Sequence, residues 1–387
     1  MGTEKASGTP RQAGPLGLAA RRTLRSFPPV ARREAKLDRL LLERSELRGQ
    51  LGALRDQVSV QDDQIRHLEA EFQRLGAEVA FEDRLVERLR RPSFTTRYAS
   101  YRRDVARVWR AGGGDVREGM NRKLAMYRFA ESHGVRVPQV LGGWQTPDEI
   151  DWASLPNRFV LKSDGGAASN GVFPLERVGD SFRTVGGSTQ RQPSFYRGKL
   201  RSRLRADAIC PPFFVEEFLD TGIPGRLPVD IKIYAFFGQV GHVLLRDMGR
   251  HGDRATARWR YLDAAGADLG PVSLTNPAGP DVPVPDRLAE MVAIAERLSR
   301  AVPLPFVRID LYDLPESIFF GEVTMMPGGP QRYTPEHDEI LGRHWEDAAR
   351  RLATELRSGR KYGLLHGDHP VRTPAEESLD GIPGGSS

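Results

Sequence analysis

The chain has 387 residues, 39% of them hydrophobic, and a formal net charge of +6 from 57 basic and 51 acidic side chains. That length allows two or three domains with a sizeable core, and so small and dispersed an excess gives no nucleic-acid-binding stripe, though it suits an anionic ligand such as a nucleotide. The single cysteine, Cys210, excludes a disulfide framework or a cysteine-rich metal site and points to a reducing compartment, the cytoplasm, and no run of about 18 apolar residues is present to span a membrane.

Residues 1–32 mix Gly, Pro, Ala and Arg without the apolar stretch of a secretory signal, and are expected to form a disordered basic tail. Between Pro29 and Pro92 there is no proline. With heptad position a at Leu37, thirteen of the sixteen a and d positions from Leu37 to Leu89 are apolar, and a stripe that long predicts a coiled coil over residues 33–91. Arg44 and Gln61 interrupt the seam and can set register and oligomer number. A parallel homodimer through residues 37–89 is the expected pairing; a helix folded back on its own body is the alternative.

Arg91-Pro92 stops that helix, and a basic, aromatic stretch from Ser93 ends in Gly112-Gly113-Gly114. Asn121 to His133 reads as a helix closed by Gly134. A strand from Arg158 to Lys162 runs into the small-residue loop Ser163 to Val172, and Phe213 to Leu219 is an apolar strand interrupted by Glu216 and Glu217. Strands Asp230 to Phe237 and Val240 to Arg246 flank Gly238-Gln239, read as a two-residue turn with glycine first. Asp286 to Ala301 and Trp345 to Arg357 read as helices, and residues 369–387, rich in Pro, Gly and Ser, as a loose tail.

The chemistry concentrates in Val307-Arg308-Ile309-Asp310-Leu311 and Phe320-Gly321-Glu322-Val323-Thr324. Residues two apart share a face of a strand, so an antiparallel hairpin turning at Asp313 to Ser317 puts Arg308, Asp310, Glu322 and Thr324 together. Two carboxylates there are hard oxygen ligands suited to Mg²⁺ bridging substrate phosphates; a solvated polar sheet face is the bland reading. Arg308 can meet an oxyanion or simply pair with Asp310. Lys162, at a strand end before small residues, can grip a phosphate, while Asp230 and Lys232, two apart on one strand, can be a partnered salt bridge.

In this order and spacing the segments resemble the ATP-grasp superfamily, and within it the TupA-like group of teichuronopeptide biosynthesis, from about Arg122 to Gly342. The fold class implied is α+β, two α/β subdomains clasping ATP over residues 92–368, preceded by the long coiled-coil helix. The resemblance implies that Lys123 and Lys162 contact the ATP phosphates, with Asp230 in the nucleotide-binding set. It makes Glu216, Glu217 and Leu219 the adenine and ribose hinge, and Lys232 the holder of the terminal phosphate. Asp310 and Glu322 would hold Mg²⁺, and Arg308 would face an acyl phosphate. Many ATP-grasp enzymes carry Asn where this chain has Thr324, though Thr also occurs in the TupA-like group; Ala167-Ala168 stand where relatives have more glycine. The implied activity is an ATP- and Mg²⁺-dependent carboxylate–amine ligase serving a cell-surface polymer or peptide conjugate. A nucleotide-binding assembly protein and a kinase remain the alternatives.

Overall fold

The computed structural model describes residues 28–110, 120–166, 170–223, 226–249, 256–276, 278–279, 281–329 and 331–375. The expectations for residues 1–27, Gly112 to Gly114, Ala167-Ala168 and residues 376–387 lie outside that set. The chain divides into two compact units, Met1–Arg90 and Arg91–Ser387.

The described residues of the first unit form one helix, α1 (Pro28–Arg90), of 63 residues, about 95 Å long at 1.5 Å per residue. Its apolar seam from Leu37 to Val79 is 48–78% exposed at every leucine, valine, isoleucine and phenylalanine. A helix interior this polar on its other faces gains too little from propensity alone, so the bare stripe marks a surface that needs an apolar partner.

In the second unit, α2 (Phe94–Arg110) and α3 (Lys123–Ser132) precede two antiparallel sheets. The first sheet has six strands in the order β1-β6-β2-β3-β4-β5, from β1 (Val140–Trp144), β2 (Arg158–Gly166), β3 (Val172–Val178), β4 (Ser181–Thr184), β5 (Gln190–Arg191) and β6 (Ile209–Glu217). Helix α4 (Pro193–Arg205) lies on the face carrying Phe159, Leu161, Phe213 and Val215. Its basic residues serve that subdomain: Arg201 pairs with Asp148, Arg197 donates to the Ile150 carbonyl, and Arg203 lies over the Phe173 ring.

The second sheet has five strands in the order β11-β10-β7-β8-β9, from β7 (Asp230–Ala235), β8 (Val240–Met248), β9 (Ala257–Leu262), β10 (Val307–Asp313) and β11 (Ile318–Thr324). Ile231, Ile233, Val243, Leu245, Val307 and Ile309 form its apolar face with α5 (Leu288–Ala301) and α3. At one end of the opposite face, Tyr234, Phe236 and Phe306 pack under α2 and α6 (Pro335–Arg357), with Phe94 at the centre.

Four local expectations are corrected. The stretch after Ser93 is helix α2: Ser93 Oγ accepts from the Thr96 N–H, and Phe94, Tyr98 and Val105 are buried at helical spacing. The β7–β8 turn is centred one residue earlier, on Phe237 and Gly238, with φ of 45° and 89°, so glycine takes the second left-handed place of a primed turn. Helix α6 starts at Pro335 rather than Trp345, because the Thr334 hydroxyl accepts from the His337 N–H and proline suits the first turn. Residues 369–375 are not loose: the N–H of His369 bonds the Ser132 carbonyl, and those of Arg372 and Thr373 bond Glu131 at the end of α3.

Candidate active site

The β10–β11 hairpin forms as its alternation requires, with Arg308 opposite Thr324 and Asp310 opposite Glu322. Gly321 is the extra residue of a bulge between Asp310 and Leu311; a Cβ there would meet the Asp310 carbonyl at 3.0 Å and the Tyr312 ring at 3.1 Å. The Arg308 guanidinium grips Asp310 through Nε at 2.5 Å and Nη2 at 2.7 Å, and Nη2 reaches Glu322 at 3.0 Å and the Thr324 hydroxyl at 2.9 Å. From the neighbouring strand, in register with Asp310, Lys232 donates to the same carboxylate at 2.5 Å. Lys232 also stands 3.8 Å from Asp230, which accepts from Arg246 Nε at 2.8 Å.

Burial by itself would raise the Asp310 carboxyl, but Arg308 and Lys232 outweigh it and hold the pKa down at about 2. Burial likewise opposes the charge on Arg308; Asp310 and then Glu322 overcome it and hold the guanidinium protonated. The two acids differ in access: the Asp310 side chain is 3% exposed, that of Glu322 43%. Asp310 is therefore the fixed pole of the cluster and Glu322 the pole that solvent and ligands reach.

The first sheet supplies a second cluster. Lys162 and Glu216 sit on neighbouring strands β2 and β6, on the face toward α3, and their charges meet at 2.6 Å. Tyr127 of α3 joins them, accepting from Lys162 at 2.8 Å and donating to Glu216 at 2.7 Å. Burial first, then Glu216, pushes the Tyr127 phenol well above its ordinary pKa, so it stays a donor. Asp164 holds the start of α3, accepting the Leu124 N–H at 2.8 Å and pairing with Arg122 at 3.4 Å. Lys123 donates to the carbonyls of Asp164 and Gly166, each at 3.3 Å. Burial and then the neighbouring Lys162 lower the Lys123 pKa, against the pull of Glu322, Asp164 and Glu216.

Helix α3 brings the clusters together. Its Met126 sulfur accepts the Val323 N–H of β11, while Lys123 feels both Lys162 on one sheet and Glu322 on the other. Tyr312 of β10 is raised by burial and then by Asp230, Asp310, Glu322 and Glu216, carboxylates from both sheets. Lys123, Lys162, Glu216, Asp230, Lys232, Arg308, Asp310 and Glu322 thus belong to one charged region. Glu217 turns elsewhere, accepting the Gln139 N–H at 2.8 Å, and Leu219 is half-buried just beyond β6. Tyr127 and Asp164 escaped the sequence reading; Asp164, two residues after Lys162 on one strand, was the available signal.

Among the described residues no group of three or more His, Cys, Asp or Glu is placed to cage a metal. Asp310 and Glu322, opposite each other across the strands, are oxygen donors of the kind Mg²⁺ takes one or two of beside phosphate oxygens and water, with the Asp310 oxygens already accepting from Arg308 and Lys232. Among the described residues no helix is long and apolar enough to cross a membrane.

A profile of the TupA-like ATP-grasp family matches residues 110–346. Among solved structures, the ATP-grasp ligase PsnB complexed with minimal precursor is 14% identical, covering 61% of this chain and 62% of its own, with a TM-score of 0.35. D-alanine–D-alanine ligase from Bacillus anthracis complexed with ATP is 12% identical over 61% of this chain and 68% of its own, with a TM-score of 0.37. The RiPP-associated ATP-grasp ligase of Chryseobacterium gregarium, in complex with ADP and a leader and core peptide, is 11% identical over 64% and 63%, with a TM-score of 0.32. The chain thus spans about three fifths of the length of PsnB, and at these scores the likeness assigns no residue. No curated protein matches the chain by sequence.

Proposed function

Because the chain belongs to the TupA-like ATP-grasp family, we propose that it is an ATP-dependent carboxylate–amine ligase working through an acyl phosphate. The observation that carries this reading is the joining of two charged clusters by α3, one rich in lysine and one built on paired carboxylates. Lys123 and Lys162 hold the ATP phosphates, Lys232 the terminal one, and Asp230 orients Lys232 and Arg246. The end of β6, through Glu216, Glu217 and Leu219, forms the adenine and ribose hinge. Asp310 and Glu322 hold Mg²⁺, which when bound neutralises triphosphate charge.

A substrate carboxylate attacks the terminal phosphorus, ADP leaves, and an amine displaces phosphate from the acyl phosphate to give the amide. Charge stabilisation and positioning suffice for such transfers, so no side-chain nucleophile is required. Arg308 already reaches past Asp310 to Glu322 and Thr324. Its guanidinium would face the acyl phosphate and stabilise its charge. The acceptor belongs to cell-surface polymer or peptide-conjugate synthesis, and the reaction runs in the cytoplasm, where ATP is supplied.

Incubation with ATP, Mg²⁺ and a panel of acid–amine pairs should release ADP only with a matching pair and yield an amide by mass spectrometry. A phosphorylated hydroxyl product would identify a kinase instead, and nucleotide binding with no ADP under any pair would identify an assembly protein.

The chain also pairs with a second copy of itself through residues 37–89, supported by the bare seam of α1. Light scattering should report twice the 43.1 kDa chain mass for the full chain and a monomer for a chain beginning at Arg91. A monomeric full chain would rule the pairing out.

A further inference from the structure

We infer that the two copies of α1 pair antiparallel, and not in the parallel arrangement that the heptads alone suggest. This rests on the reading of α1 as a dimerisation helix and adds its polarity. With Leu37 at position a, the e positions beside the seam hold Arg48, Arg55, Asp62 and Glu69, basic in the first half and acidic in the second. Among the described residues none of the four has an ion-pair partner in its own chain, although Arg39–Glu43 and Arg66–Asp63 do pair along the helix. All four are exposed to solvent beside the seam, where a second helix can bring opposite charges to them.

In an antiparallel pair, e positions face e positions. One register sets Arg48 against the second copy's Glu69 and Arg55 against its Asp62, and by symmetry both pairs occur twice. The same register places Leu47 against Phe72, Leu51 against Leu68 and Leu54 against Ile65, all apolar layers. Sliding by one heptad in either direction sets Arg55 against itself or Asp62 against itself, and keeps one of the two kinds of opposite-charge contact, Arg48–Asp62 or Arg55–Glu69. The cost is two like-charge contacts: Glu34 facing Asp83, and Glu43 facing Glu78, where Arg39 already engages Glu43 at 3.4 Å.

A parallel pair matches fewer of these four charges. There g positions face the next e position, so only Arg48 finds an acid, Glu43, while Arg55, Asp62 and Glu69 face Gln50, Gln57 and Gln64. Arg44, at position a, would lie directly against its own copy in the seam; the antiparallel register sets it against Leu75, where its stem can pack. The polarity has a consequence for assembly: the residue-90 ends of the two helices leave the coil at opposite ends, not side by side.

The test is a spin-label distance on the full chain carrying Cys210→Ser and Ala77→Cys, Ala77 being exposed at an outer f position. The antiparallel register puts the two labels about 50 Å apart along the coil, from 1.5 Å per residue, and a parallel pair puts them at about 20 Å. The longer distance is the expected result. The shorter one overturns the polarity and leaves the dimer standing; no dipolar signal overturns both. Charge reversal gives an independent readout. Arg48→Glu with Arg55→Glu should weaken the dimer by roughly tenfold or more, and adding Asp62→Arg with Glu69→Arg should restore it. Failure of the fourfold variant to recover would overturn the assigned pairs.

Discussion

Asp310→Asn is expected to cut ATP turnover by about 10³-fold or more and to destabilise the fold by about 3–5 kcal/mol. The second effect follows from geometry: Asp310 is the shared partner of Arg308 and Lys232, both buried, and its loss leaves Arg308 only the half-exposed Glu322 and Lys232 only Asp230 at 3.8 Å. Glu322→Gln should lower turnover comparably while changing stability by less than about 1 kcal/mol, since that side chain is 43% exposed and its pairing is screened by water. ADP-release assays and urea unfolding on the two variants separate the roles. ATP turnover undisturbed by either substitution would remove the metal assignment.

Acid should destabilise the fold well before its carboxylates titrate. His242 is fully buried between Tyr234, Tyr261 and Tyr333, and its Nδ1 lies 3.0 Å from His337 Nε2. Its own Nε2 has no hydrogen-bond partner among the described residues. Burial, then the charge of the neighbouring histidines, drives the His242 pKa well below its ordinary value. Burial also lowers His337 from 6.5 to about 4, against the opposite pull of Asp338. Both rings are therefore neutral in the fold over a range where the unfolded chain takes up protons. Stability is complete above about pH 6.5 and falls as pH drops toward 4, by about 3 kcal/mol for His337 alone. Asp310 works in a separate window: its folded pKa of about 2 lies below the ordinary 3.8, so its contribution persists until the pH falls under about 4. Urea midpoints at pH 7 and 4.5 should show the histidine loss, and His337→Gln should remove up to about half of it, His242 supplying at least as much; an unchanged slope in that variant would refute the assignment.

The legible parts of this protein are those written in short-range patterns. The β10–β11 hairpin was readable because strand period and a local turn together specify which side chains share a face. The seam of α1 was readable because a heptad needs only the order of residues. Helix α2 had a readable stripe in Phe94, Tyr98 and Val105, obscured by the many arginines around it. The β7–β8 turn was misplaced by one residue because Phe237 adopts a left-handed φ that a bulky residue disfavours and that its packing in the aromatic core enforces. The ordered segment through 375 has a disorder-like composition; its backbone bonds to Ser132 and Glu131 hold it, and composition does not report such partners.

By itself the sequence determined the long helix α1 and the charge reversal along it, the alternation that lines up Arg308, Asp310, Glu322 and Thr324, and the order of motifs that resembles an ATP-grasp body. Only the tertiary structure decided which cation meets which acid. Lys232 and Asp310 are 78 residues apart and meet because β7 and β10 are neighbours in one register; Tyr127 is 89 residues from Glu216 and meets it because α3 packs on β2 and β6. Such pairs are specified by strand order and helix docking, which arise from the burial of whole faces rather than from any local run of residues.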